Sequence, residues 1–150
     1  MKEKSVSLEQ AKFRYTIIIG CSRLGASLAT QLSEQGEEVT VIDKDRRSFS
    51  RLSGDFGGLT IVGDAAYLDI LEAAEIKRAT AVVCVTDYDN TNILVAQLVK
   101  ELYGVEQVVA RLYDQERQCV YQEFNIVTIC PPALSALEIT NLLNHPGETQ

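Results

Sequence analysis

An apolar run, Tyr15-Thr16-Ile17-Ile18-Ile19, leads into Gly20-Cys21-Ser22-Arg23-Leu24-Gly25, and a second apolar run from Glu38 closes on the carboxylate of Asp43. Strand, glycine turn, helix start and a second strand ending in an acid form a βαβ unit. Units of this kind hold a dinucleotide, with its pyrophosphate at the helix N-terminus and a ribose on the acid. The order constrains the whole fold, because parallel neighbours need a crossover and right-handed crossovers lay the helix on the sheet. The middle glycine of G-x-G-x-x-G is replaced by Ser22, so the motif stands as G-x-S-x-x-G.

Six β-branched runs recur along the chain: Tyr15 to Gly20, Glu38 to Asp43, Leu59 to Val62, Ala81 to Thr86, Gln107 to Arg111 and Val127 to Ile129. Helix-length segments separate them, which predicts an α/β, Rossmann-like, doubly wound parallel six-stranded sheet. Burial on both faces explains why the runs are apolar throughout. The first helix is expected from Arg23 to Gln35, with Gly36 after its end. Others are expected from Asp45 to Arg51 or Leu52, from Asp64 or Ala65 through Ala74, from Asp89 or Asn90 to just before Gly104, and from Asp114 through Phe124. Pro131 and Pro132 introduce an extra C-terminal helix, Ala133 to about Leu143. Its apolar residues, Leu134, Leu137, Ile139, Leu142 and Leu143, surround it, so it needs cover on several sides, from a second copy or from the domain core. Residues 1–14 read as a polar extension, 15–131 as the nucleotide-binding domain and 132–150 as the last helix and a tail.

At 150 residues the chain can bury one substantial core. Its net charge of -7, with scattered basic residues, gives no footprint for nucleic acid. No apolar run reaches the length of a membrane helix, and Met1 to Arg14 carries no apolar signal segment, so a cytoplasmic location without direct membrane insertion is expected. Cys21, Cys84, Cys119 and Cys130 lack C-x-x-C spacing and read as filler, with no metal site expected. Cys21 alone stands near a helix N-terminus, where a thiol pKa can fall and redox chemistry can follow.

Ligands of open parallel sheets lie beyond the carboxyl ends of the strands, near the reversal of strand order. Gly20, Gly63-Asp64, Thr86-Asp87 and Arg111 fall at such ends, beside Asp43. Loops after strands are polar in any case, which accounts for part of the pattern. Gly20 permits the turn, Gly25 lets the helix approach the sheet, and Arg23 can reach a phosphate. Ser22 either donates its hydroxyl to phosphate or narrows the site toward a mononucleotide. Asp43 suits the ribose hydroxyls and repels a 2′-phosphate, disfavouring NADP; Arg46 and Arg47 read as a solvated face. Asp64 and Ala65 border the adenine end, and Thr86, Asp87 and Asn90 the other half of the crevice.

The segments IIIGCSRLG (17–25), VIDKD (41–45), IVGDA (61–65), VCVTDYDNTN (83–92) and VVARLYD (108–114) follow one another in a specific order and spacing. In them the chain resembles, over nearly its whole length, the N-terminal nucleotide-binding domain of Trk/Ktr-type potassium-uptake regulatory subunits, the TrkA-N or RCK domain. The resemblance implies a cytosolic subunit on the inner face of a potassium channel or transporter, binding NAD(H) or an adenine nucleotide (AMP, ADP or ATP). It implies phosphate contacts at Gly20, Ser22, Arg23 and Leu24, with Cys21 in the same turn. It places ribose at Asp43, adenine near Lys44, Asp64 and Ala65, and a phosphate-proximal or interface role at Arg111. It further implies a homodimer or higher homo-oligomer built through the last helix. Two departures stand out: Ser22 replaces a glycine, and the small C-terminal ligand-binding domain of many members is not expected here.

The leading reading is therefore a non-catalytic nucleotide sensor for potassium transport. A small NAD-dependent oxidoreductase and a freestanding sensor of a soluble partner are the alternatives. For the oxidoreductase the only histidine, His145, would have to act as the base from beside Pro146.

Overall fold

A computed structural model describes residues 13–147; the expectations for residues 1–12 and 148–150 lie outside the described residues. Six parallel strands, β1 (Tyr15–Ile19), β2 (Glu38–Asp43), β3 (Leu59–Val62), β4 (Ala81–Cys84), β5 (Gln107–Arg111) and β6 (Val127–Ile129), lie in the order β3-β2-β1-β4-β5-β6. The expected doubly wound sheet is thus present, with its reversal between β1 and β4. Register is set by the apolar runs, so that Ile18 stands between Val41 and Val83. Every residue of β1 is buried, as a central parallel strand covered on both faces requires.

Side-chain alternation divides the core in two. Ile17, Ile19, Val82, Cys84, Val108 and Ala110 face α2 (Leu68–Ala73) and α3 (Asp89–Tyr103), while Ile18, Val39 and Val41 face α1 (Arg23–Glu34). Helix α1 buries only Gly25, Ala26 and Ala29, small residues that bring its axis close to the sheet. Helix α3 buries Asn92, Ile93, Val95, Ala96 and Val99, a stripe of helical period with one polar member.

Several boundaries differ from the sequence expectation. The strands that were to reach Gly20 and Thr86 stop at Ile19 and Cys84, because the chain must turn there to form the crevice. The segment after Asp45 is a 3-10 helix, Arg46–Arg51; Ser48 and Ser50 hydroxyls bond the carbonyls of Asp45 and Arg47 three residues back, favouring the tighter turn. Helix α2 starts at Leu68, since the Asp64 carboxylate accepts the Ala66 N–H and closes a turn ahead of it. Between β5 and β6 a 3-10 turn, Gln115–Arg117, precedes a short α4 (Gln118–Gln122) that stops before Phe124.

The last helix, α5 (Pro131–Asn144), carries proline in its first turn, where no intrahelical N–H is lost. None of its residues is buried: Leu137 is 60% exposed and Leu143 74%. The sheet face shared with α1 is also thinly covered beyond β1. Val83, Val109 and Val127 lie side by side across β4, β5 and β6, and Val127 is 62% exposed. Among the described residues, no helix is long and apolar enough to cross a membrane.

Candidate functional site

A cleft of about 340 Å³ opens at the carboxyl ends of β1, β2 and β4, where strand order reverses. Gly20, Cys21, Ser22, Asp43, Lys44, Gly63, Asp64, Ala65, Thr86 and Asp87 all line it. Ten of the residues picked out in the sequence are thereby brought together from three strand ends and the loop after β3.

The glycine turn is fixed from both sides. Gly20 adopts φ 101°, and a Cβ there would lie 2.8 Å from the Thr86 backbone. At Gly25 a Cβ would fall onto the Gly20 carbonyl oxygen, so neither outer glycine of the motif has room for a side chain. Between them Ser22 is the N-cap of α1: its Oγ accepts the Gly25 N–H at 3.1 Å and donates to the Val85 carbonyl at 2.7 Å. Such a cap stabilises a helix by about 1 kcal/mol. The hydroxyl proton that could have gone to a phosphate is thus engaged by the sheet. Among the described residues, the first-turn amides of Arg23 and Leu24 have no protein acceptor, so the helix start offers anion donors without the serine.

Asp43 anchors the opposite wall. Its Oδ2 accepts the Cys21 N–H and its Oδ1 the Asp45 N–H, each at 2.8 Å, so the acid is oriented by backbone and each oxygen keeps a further lone pair. Lys44 Nζ lies 3.3 Å from Asp64 Oδ2 across the neighbouring edge. Arg46 and Arg47 are exposed, and Arg47 is paired with Asp45.

Cys21 does not fit the redox expectation. Its thiol is fully buried and bonds the Ser48 carbonyl, and burial, followed by the Asp43 charge, pushes its pKa up. Helix proximity is outweighed by desolvation.

Five residues singled out in the sequence do not line the cleft. Gly25 acts through the close approach already described. Arg23 borders a shallow groove along α1 with Ala26, Ser27 and Arg51, and Leu24 is 37% exposed. Asn90 accepts a hydrogen bond from Arg117, away from the crevice. Arg111 is buried: its Nη2 donates to the Thr86 carbonyl at 2.6 Å and to Asp87 at 3.1 Å, so it braces the end of β4 from below.

Sequence reasoning missed three contributors. Asn92 is fully buried; its Oδ1 accepts from the Thr86 N–H and hydroxyl, and its Nδ2 donates to the Thr86 and Arg111 carbonyls. An amide amid the apolar stripe of α3 was the available signal. Arg51 lines the cleft and donates to the Cys21 carbonyl at 3.0 Å, a contact across 30 positions that only the tertiary fold creates. Tyr88 is also among the lining residues and is 72% exposed.

Comparison with known proteins matches the TrkA-N domain family to residues 16–132. A Trk system potassium uptake protein TrkA from Streptomyces coelicolor is 44% identical over 115 residues, covering 77% of this chain and 52% of its own length. The Pyrococcus abyssi homologue is 33% identical over 140 residues, covering 89% of this chain and 61% of its own. The chain therefore spans about half to three fifths of the length of these relatives. Among solved structures, the Shewanella denitrificans Kef C-terminal domain in an AMP-bound form superposes with a TM-score of 0.69 at 26% identity, covering 89% of this chain and 84% of that one. GsuK bound to ADP gives 0.76 at 25% identity, covering 91% and 35%.

Proposed function

This chain belongs to the TrkA-N domain family, and on that premise we propose that it is a non-catalytic, nucleotide-sensing regulatory part of a potassium channel or transporter. The observation that carries this reading is the cleft itself, where an acid whose carboxylate is held by two backbone N–H groups stands at a glycine turn beside the start of α1. Its ligand is NAD(H) or an adenine nucleotide, AMP, ADP or ATP; the AMP and ADP forms of the Kef domain and of GsuK support an adenosine phosphate. Asp43 opposes a 2′-phosphate and so disfavours NADP. No step of chemistry is assigned to the cleft, and His145 lies beyond the end of α5.

Two nucleotides that bind two arrangements of the assembly unequally shift the balance between them, and a membrane-embedded potassium transporter at the inner face of the cell membrane reads the shift. The test is retention of a detergent-solubilised potassium transporter of the source organism on the immobilised protein. Retention that changes when one nucleotide is exchanged for another is expected. No retention, or retention indifferent to every nucleotide, contradicts the reading.

A homodimer or higher homo-oligomer is part of the proposal. The exposed apolar circumference of α5 and the thinly covered row Val83, Val109 and Val127 are two unpartnered surfaces, and each supplies what the other lacks. Leu137→Glu with Leu142→Glu is expected to reduce a sedimenting dimer to monomer while far-ultraviolet dichroism stays unchanged. A dimer that survives both charges would place the interface elsewhere.

A further inference from the structure

Arg111 Nε is buried and has no hydrogen-bond partner among the described residues. Its side chain is only 7% exposed, and a buried N–H without an acceptor carries a desolvation cost that pairing would remove. Asp87, its neighbour, is in the opposite condition. The Asp87 side chain lines the cleft and is 81% exposed; its Oδ1 accepts from Arg111 Nη2 at 3.1 Å, and its Oδ2 has no protein donor among the described residues. Nε and Nη2 stand on one edge of the guanidinium, and such an edge takes both oxygens of a carboxylate. We propose that Asp87 and Arg111 form a two-position latch, joined by one bond in this structure and by two when a nucleotide covers Asp87, which passes occupancy of the cleft to the start of α5. The latch rests on the nucleotide-binding reading above and gives that binding a route to a distant element.

Binding drives the latch toward its second position in two ways. A nucleotide lying against Asp87 takes water from Oδ2, and a desolvated carboxylate oxygen needs a donor. Its phosphates also repel the carboxylate, in a cleft that already holds Asp43, Asp45 and Asp64. Both effects press the acid toward the guanidinium, where Nε supplies the donor and a bidentate, charge-assisted pair forms.

The two partners of the latch meet again at Tyr113. The turn that carries Asp87 leads directly into Asp89 at the head of α3, and Asp89 accepts the Tyr113 N–H at 3.0 Å and the Asp114 N–H at 3.1 Å. The Arg111 guanidinium lies 5.3 Å from the centre of the Tyr113 ring. From Tyr113 the contacts lead to α5: its carbonyl accepts from the thiol of Cys130, the N-cap residue of that helix, at 3.6 Å. Fully buried Asn92 holds the Thr86 backbone and the Arg111 carbonyl, so the ends of β4 and β5 stay fixed. Movement of the latch is therefore taken up by the Asp87 turn and by Tyr113, and the α5 start follows.

Nitrogen-15 NMR and amide hydrogen exchange of wild type, Asp87→Asn and Arg111→Lys, each titrated to saturation with NADH, ADP or AMP, test the latch. In wild type the nucleotide is expected to move the Arg111 Nε–H resonance downfield; its absence from Arg111→Lys identifies it. Exchange of the Leu134 N–H, which bonds the Cys130 carbonyl at 3.0 Å, is expected to slow about fivefold or more, the lower end of coupling between sites. Asp87→Asn lacks the charge and the second acceptor, and Arg111→Lys keeps the charge but has no forked edge, so both are expected to bind nucleotide without the slowing at α5. An Nε resonance unmoved by a saturating nucleotide, or slowing that survives in either variant, overturns the latch and leaves the nucleotide-binding reading standing. Wild type that binds none of the three contradicts that reading as well.

Discussion

Gly25→Ala is expected to lower the free energy of unfolding by about 3 kcal/mol and the melting temperature by roughly 10 °C. A methyl group at this position would coincide with the Gly20 carbonyl oxygen and press on Val85 Cγ2 at 3.2 Å. Neither neighbour has room to retreat. Gly20 donates its N–H to Ile42 at 2.8 Å and occupies a positive-φ conformation against the Thr86 backbone, so moving its carbonyl disturbs β2 and β4 together. If α1 moved instead, its small buried residues would leave the sheet and the Ser22 cap would open. Urea unfolding followed by circular dichroism measures the change, with Gly54→Ala as the control, because no atom lies within 4 Å of a Cβ there and its φ is not positive. The control is expected within about 0.5 kcal/mol of wild type. A Gly25→Ala variant equally close to wild type would mean that the turn is much softer than its hydrogen bonds indicate.

The second large effect concerns binding. Asp43→Ala is expected to weaken any adenosine-containing ligand about a hundredfold or more, since two hydrogen bonds to a carboxylate contribute roughly 1.5–3 kcal/mol each. The loss has an indirect part too, because the same carboxylate orients the Cys21 and Asp45 amides and so holds the glycine turn against the start of the 3-10 helix. Asp43→Asn separates the two contributions: it keeps one acceptor oxygen, loses the charge, and should fall between Ala and wild type. Removing the acid also removes the repulsion of a 2′-phosphate, so the preference for NAD over NADP is expected to narrow in both variants. A loss of less than tenfold in a folded Asp43→Ala protein would move the ribose away from this residue.

The fold was legible because hydrophobic period and glycine placement agree along the chain. β1 through β6 lie where β-branched runs fall, and right-handed crossovers put helices on both faces once the chain returns from β3 to the other side of β1. Helix lengths were less legible, because serine hydroxyls and an aspartate turn compete with α-helix locally at Arg46–Arg51 and before Leu68. In the site, residues at strand ends could be placed from sequence alone, Asp43 and Asp64 among them. Arg51 could not, because its contact with Cys21 depends on how the 3-10 helix returns over the turn. Ser22 looked like a lost glycine by motif, whereas its hydroxyl joins the start of α1 to the end of β4. Arg111 was grouped with ligand-facing residues by its place at a strand end, but side-chain alternation and its bond to the Thr86 carbonyl keep it inside.

The most direct test of the nucleotide-sensing account is thermal unfolding of wild type and Asp43→Ala with saturating NADH, ADP, AMP or ATP. A ligand at about 100 times its dissociation constant stabilises the folded state by about 2.7 kcal/mol. Wild type is expected to gain several degrees with at least one of these nucleotides, and Asp43→Ala little or nothing at the same concentration. Wild type whose melting temperature is unmoved by all four at millimolar concentration would contradict it.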